Sequence, residues 1–379
     1  MKMPQSAYIH IPFCEHICHY CDFNKVFLEG QPVSEYLNAL ETELSLRTQK
    51  QKIETDTIFV GGGTPTSLSA KELEILCEAI TKHLPLKNGE FTFEANPGDL
   101  TKEKLSVLKD YGVNRLSFGV QSFNDELLHR IGRTHKSKDV YTSVTNALNV
   151  GFSNISIDLI YSLPGQTKED FKDTLEKALA LDLPHYSAYS LIVEPKTVFY
   201  NLMRKGKLHL PSQDEEAEMY ELLMSTMNKH NVHQYEISNF AKKGYESKHN
   251  LVYWDNNEYY GFGAGAHGYV NGIRYSNHGP IKKYIKPVSC GELPIIQEHT
   301  VTKSESMEEE MFLGLRKTEG VSKVVFQKKF NQDIMEVFQE PIEKMQKRGL
   351  LQNGDERVYL TNEGKFLGNE VFQEFLGII

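Results

Sequence analysis

Cysteine is scarce in this chain, five in 379 residues, and tryptophan scarcer, with a single copy. Three of the five thiols crowd into eight positions, a poor disulfide framework that suits a metal cluster in a reducing compartment. No apolar run approaches the roughly 18 residues that cross a bilayer. The N-terminus, Met1 to Ser6, lacks an apolar core of signal-peptide length. A cytoplasmic protein with no transmembrane segment is therefore expected. Positive charge is in deficit too, with 42 Lys and Arg against 51 Asp and Glu and a formal charge of -9. That balance argues against a nucleic-acid partner, whose phosphates ask for a concentrated basic surface.

What the chain does have is regular alternation. Short β-branched or aromatic runs at Ala7 to Ile11, Thr57 to Val60, Phe91 to Ala95, Arg115 to Val120, Ile155 to Ile160 and Tyr186 to Leu191 are separated by segments of helical period. Phe171, Leu175 and Leu179 share one helix face. Ser69 with Glu72 and Thr167 with Asp170 read as capping boxes at helix starts. Such βα units build a parallel sheet. Six are too few for a closed eight-stranded barrel, so the expected fold class is α/β, an incomplete (β/α)6 barrel with a lateral opening. Residues 1–213 would form that barrel. Residues 214–300, aromatic and glycine-rich from Tyr235 to Tyr284, would extend it. Residues 301–379 would form a smaller α-rich, winged-helix-like module, with helices at Ser304 to Leu315 and Ile342 to Leu350 and a strand at Arg357 to Leu360.

Cys14, Cys18 and Cys21 follow the first strand directly, at the strand end where α/β folds place their chemistry. Three thiolates from one tight loop can hold three corners of a [4Fe-4S] cube, a cluster that ordinarily takes four, and so leave one iron open. The amino and carboxylate groups of S-adenosylmethionine can fill that position. Structural zinc, with His16 or His19 as the fourth ligand, is the alternative. Polar residues recur at later strand ends. Gly62, Gly63 and Thr64 allow close backbone approach to a ligand. Glu94, Gln121 and Asp158 offer polar handles, and Arg133 a permanent cation for a carboxylate.

The spacing Cys-x3-Cys-x2-Cys is the hallmark of the radical S-adenosylmethionine enzymes. Tyr8-Ile-His-Ile-Pro-Phe-Cys14, Gly61-Gly-Gly-Thr-Pro-Thr66, Phe93-Glu-Ala-Asn-Pro-Gly98, Ser117-Phe-Gly-Val-Gln-Ser122 and Asp158-Leu-Ile-Tyr-Ser-Leu-Pro-Gly165 together resemble the oxygen-independent coproporphyrinogen III oxidase group. The resemblance implies a [4Fe-4S] cluster on the three cysteines. It also implies an S-adenosylmethionine site drawn from Tyr8, Tyr20, Gly62, Gly63, Thr64, Glu94, Gln121, Arg133 and Asp158. Oxidases of the group carry a further cysteine where this chain has Phe23, and an N-terminal extension where it has seven residues before Tyr8. Those departures, together with His249-Asn-Leu-Val-Tyr253-Trp254, are similar to the HemW-type haem chaperones. That resemblance implies haem as cargo, held near His249, Tyr253 and Trp254, with His267 a second candidate ligand. Imidazole is a common axial ligand of haem iron, and aromatic faces suit a macrocycle. It also implies client haemoproteins, respiratory and membrane-associated ones among the candidates, and an electron donor that the sequence does not identify. The expected function is haem binding and transfer. The alternative is radical decarboxylation of porphyrinogen propionates. Radical modification of RNA, a third class, would want a basic binding domain that the chain lacks.

Overall fold

The computed structural model describes residues 3–49 and 53–379. Met1 and Lys2, the start of the segment read for a leader, lie outside it. All six sequence-predicted strands form, as β1 (Ser6–Ile11), β2 (Thr55–Gly62), β3 (Leu86–Ala95), β4 (Arg115–Gln121), β5 (Asn154–Tyr161) and β6 (His185–Ser190). They pair in parallel, in sequence order. Their residues are buried almost continuously, the pattern of strands covered on both faces.

Three strands extend the expected sheet. β7 (His233–Glu236) and β8 (Asn239–Ala241) add antiparallel beyond β6, and β9 (Tyr260–Phe262) adds parallel beyond β1. The nine-stranded order β9-β1-β2-β3-β4-β5-β6-β8-β7 has two free ends, so the sheet curves without closing. The stretch from Tyr235 to Tyr284 is therefore ordered, as sheet strands, a hairpin, the helix Lys248–Trp254 and the start of the helix Ile281–Ser289. Its glycines are needed there: a Cβ on Gly261 would run into the carbonyl of His267.

Helices pack on the outer face. Both predicted capping boxes are present, at Ser69 before the helix Ala70–His83 and at Thr167 before Lys168–Leu179. One large core runs through the sheet from Ala7 to Val288, and a second is confined to Met307 through Phe375. Around the second core, helices Lys303–Gly314, Lys323–Phe330 and Ile334–Lys347 surround a three-stranded sheet of Val321–Ser322, Arg357–Leu360 and Leu351–Asn353. The helix expected from Ile342 begins eight residues earlier. It runs through Pro341, with a kink at Phe338.

Candidate active site at the strand ends

The segment after β1 leaves the sheet and returns to it. Phe13–Cys14 pairs with Val26–Phe27, and the Leu28 N–H donates to the Cys14 carbonyl at 2.9 Å, closing the base of the cysteine loop. Tyr20 anchors the loop's far side on a small apolar cluster of Leu127, Leu128, Ile131, Ile160, Leu163 and Phe199. The loop thus spans the C-terminal ends of the strands above a cavity of about 400 Å³.

All three loop cysteines line that cavity, together with Tyr20, Gly62, Gly63, Thr64, Glu94, Gln121, Arg133 and Asp158. Tyr8 is the exception among the proposed cofactor residues. It lies one layer below, its hydroxyl bonded to His10 Nδ1 at 3.0 Å, because His10 on the same strand face stands between it and the cavity. Gly62, at φ +114°, is where that ring passes: a Cβ there would strike the His10 imidazole. A Cβ on Gly63 would stand 2.7 Å from the Phe13 carbonyl.

Hydrogen bonds hold the donors in place. Thr64 Oγ1 donates to Cys14 Sγ at 3.6 Å and accepts from Asn96 Nδ2 at 3.1 Å. Arg133 Nη1 donates to Cys18 Sγ at 3.3 Å, and its Nη2 donates to the Gly119 carbonyl. Burial pushes the Cys14 thiol up to about 11 and raises Cys21 as well. Burial thus favours the protonated thiols of Cys14 and Cys21, and a metal cluster must displace those protons to load. Glu94 accepts from the Gly62 N–H at 3.0 Å and Asp158 from Ser117 Oγ at 3.2 Å. Burial, reinforced by Asp158, raises Glu94 to about 7; burial also raises Asp158. Gln121 has φ +65°, an uncommon conformation for a non-glycine residue that is stored at the cavity rim.

His19 is turned away from the cavity, its Nδ1 bonded to the Arg130 carbonyl at 3.1 Å. Among the described residues no three His, Cys, Asp or Glu side chains are close enough together to hold a single metal ion. A cube of four irons and four sulfurs spans more widely placed thiols than one ion does. Cys77 is buried in the main core and Cys290 is exposed, both outside the loop.

The structure does not bring the haem candidates to this cavity. His249 lies on the helix Lys248–Trp254, which caps the opposite, N-terminal end of the strands. The ring is 1% exposed. Its Nδ1 is bonded to Thr57 Oγ1 and its Nε2 to the Tyr253 hydroxyl, both at 2.9 Å, and it stacks on Phe59. Neither nitrogen is free for iron in this conformation. Trp254 is likewise covered: the Arg316 guanidinium lies 4.5 Å from its ring centre. His267 is exposed on the strand His267–Val270. Sequence reasoning passed over Arg115, a fully buried cation beneath the cavity, because one charge inside a strand run reads only as a break in pattern.

Residues 8–178 match the Radical SAM superfamily and residues 301–367 the HemN C-terminal domain. An open parallel sheet with its cysteine loop over the strand ends is thus that of a radical S-adenosylmethionine protein. The solved structure of the HemN coproporphyrinogen III oxidase from Escherichia coli superposes with a TM-score of 0.87, covering 100% of this chain and 91% of that one at 22% identity, a likeness of fold. The heme chaperone HemW of Bacillus subtilis is 58% identical over 98% of this chain and 99% of its own length. That of Lactococcus lactis is 50% identical over 99% and 98%. The chain belongs to the family of the HemW heme chaperones.

Proposed function

We propose that this protein binds haem and hands it to haemoproteins, carrying a [4Fe-4S] cluster on Cys14, Cys18 and Cys21 and S-adenosylmethionine in the adjoining cavity. The observation that supports this most is the convergence of three cysteines, Glu94, Gln121, Arg133 and Asp158 on one cavity, in a chain 58% identical to a named heme chaperone. When bound, the pair supplies one-electron chemistry at a sulfonium. The chain's own residues do the rest. Arg133 offers a cation to a carboxylate, and Glu94 and Asp158 accept from hydroxyl or ammonium groups. The division at residues 213 and 300 and a cytoplasmic location are part of the proposal. The first draws on the separate C-terminal core. The second draws on loop thiols that need a reducing compartment, and no helix of the described residues is long and apolar enough to cross a membrane.

The cofactor half has a direct test. Glu94→Ala and Asp158→Ala are each expected to weaken S-adenosylmethionine binding by about 10- to 150-fold, the loss of one buried charge-assisted hydrogen bond, with cluster content unchanged. Equilibrium binding to the reconstituted protein measures it; unaltered affinity in both variants would place these carboxylates away from the ligand.

The cargo half turns on access. His267 can meet haem as the protein stands, whereas His249 requires the loss of two hydrogen bonds and withdrawal of its helix. Stopped-flow addition of haem is therefore expected to show a rapid Soret change that His267→Ala removes and His249→Ala leaves intact. A rapid phase indifferent to His267 would reverse the assignment. Absence of haem binding, with consumption of S-adenosylmethionine on coproporphyrinogen III, would establish the oxidase instead.

A further inference from the structure

Ser117, Glu94 and Asp158 line the cavity, and one layer beneath them lies Arg115. Alternation along β4 puts Arg115 and Ser117 on the same side of the sheet, two residues apart. Arg115 is 2% exposed, yet its Nε has no hydrogen-bond partner among the described residues. Its register neighbours are Thr92 on β3 and Asn154 on β5, and each keeps an unpartnered side-chain oxygen, Thr92 Oγ1 and Asn154 Oδ1. A buried cation with a donor left unpartnered is costly to retain, and packing alone would be served by an apolar residue.

Two of the groups Arg115 acts on are acids. Its field reaches Glu94 from β3 and Asp158 from β5, where Arg133 and the Ser187 and Ser117 hydroxyls also favour the Asp158 carboxylate, and it reaches neutral His185, Tyr235 and His249 from β6, β7 and the capping helix. The remaining acid nearby, Glu90, is engaged by the N–H groups of Lys248 and His249 at 3.1 and 3.2 Å. Around Glu94 itself stand the Gly62 N–H and the hydroxyls of Tyr8 and Tyr253. Two buried carboxylates left to themselves cannot both stay ionised, and a protonated one donates where an acceptor is wanted.

We propose that Arg115 is a positioning residue that favours the ionised forms of Glu94 and Asp158, the acceptors for the hydroxyl and ammonium groups of S-adenosylmethionine, from a layer too deep to touch the cofactor. The proposal rests on the cofactor reading of the cavity. Burial and Asp158 set Glu94 near neutrality even with Arg115 present, so removing the cation displaces its ionisation to higher pH.

The test measures S-adenosylmethionine affinity of the reconstituted protein against pH for wild type, Arg115→Met and Arg115→Lys. Arg115→Met is expected to bind roughly tenfold more weakly near pH 7 and to recover as the pH rises by about two units, while Arg115→Lys keeps the wild-type profile. Methionine fills the buried volume without a charge, a change that folds tolerate. Infrared spectra of the cofactor-free protein give a second readout, a protonated-carboxyl band at pH 7 that strengthens in Arg115→Met and weakens when Glu94→Gln is added. A loss of affinity independent of pH, or no loss, overturns the proposal. If wild type binds no S-adenosylmethionine at any pH, the cofactor reading falls. The infrared band then still decides whether Arg115 controls the carboxylates, and an identical band in wild type and Arg115→Met overturns that role.

Discussion

Cys18→Ala protein, reconstituted anaerobically, is expected to retain little or none of the iron and sulfide that wild type takes up. Three thiols are the smallest set that fixes a cube with one open corner, and all three here come from one loop whose base is pinned by the Phe13–Cys14 and Val26–Phe27 pairing. Cys18 is the one that Arg133 Nη1 reaches. Its loss removes an anionic ligand and leaves a buried guanidinium donor with a methyl group in place of sulfur. Cys14→Ala and Cys21→Ala should fail similarly. Cys77→Ala and Cys290→Ala should load normally, since one thiol is buried in the main core and the other lies on the surface. Full iron and sulfide in Cys18→Ala, or a requirement for Cys290, would refute the three-cysteine cluster.

His249→Ala is expected to lower stability by about 3 to 5 kcal/mol at neutral pH. The change empties a buried ring site and strands Thr57 Oγ1 and the Tyr253 hydroxyl. The deficit carries a pH signature. Burial lowers the His249 imidazole from 6.5 to about 3, so the folded state keeps it neutral where the unfolded chain protonates it. Its contribution is complete above pH 6.5 and is lost as pH falls toward 3. Between pH 6.5 and about pH 5 the gap between wild type and His249→Ala should therefore shrink by about 2 kcal/mol. Urea unfolding at the two pH values measures both; a gap that stays constant or widens on acidification would mean that the buried neutral ring is not what His249 contributes.

The sequence made the six parallel strands and the cavity lining legible because both follow from local rules. Continuous β-branched runs mark strands covered on both faces, and residues just past such runs stand at the functional end of the sheet. That is how Glu94, Gln121 and Asp158 could be grouped with Cys14 before any fold was known. What local rules do not carry is depth. Tyr8 and His10 have the same inward phase on β1, and only the tertiary arrangement shows that His10 intervenes. Arg115 and Ser117 pose the same problem on β4. Short strands such as Asn239–Ala241 give no periodic signal and exist through distant pairing with Tyr186 and its neighbours. His249 was legible as a residue of consequence, but the partners that occupy both its nitrogens come from β2 and from its own helix.

The helix Lys248–Trp254 ends where the second core begins. His249 is locked against β2, Trp254 is covered by Arg316, and Asp255 and Asn256 just beyond receive Lys317 and Lys329 from the C-terminal module. Seven residues therefore belong to two cohesive units at once. To the extent that the two ends release together, linkage makes the effect reciprocal: what favours letting go at one end favours it at the other by an equal free energy. A partner that docks on the C-terminal module and draws Arg316 or Lys317 away would raise the population in which His249 is free, without entering the barrel. Conversely, a change that frees His249 would loosen the module's grip. The seating of the module and the freedom of His249 would then be two readings of one equilibrium.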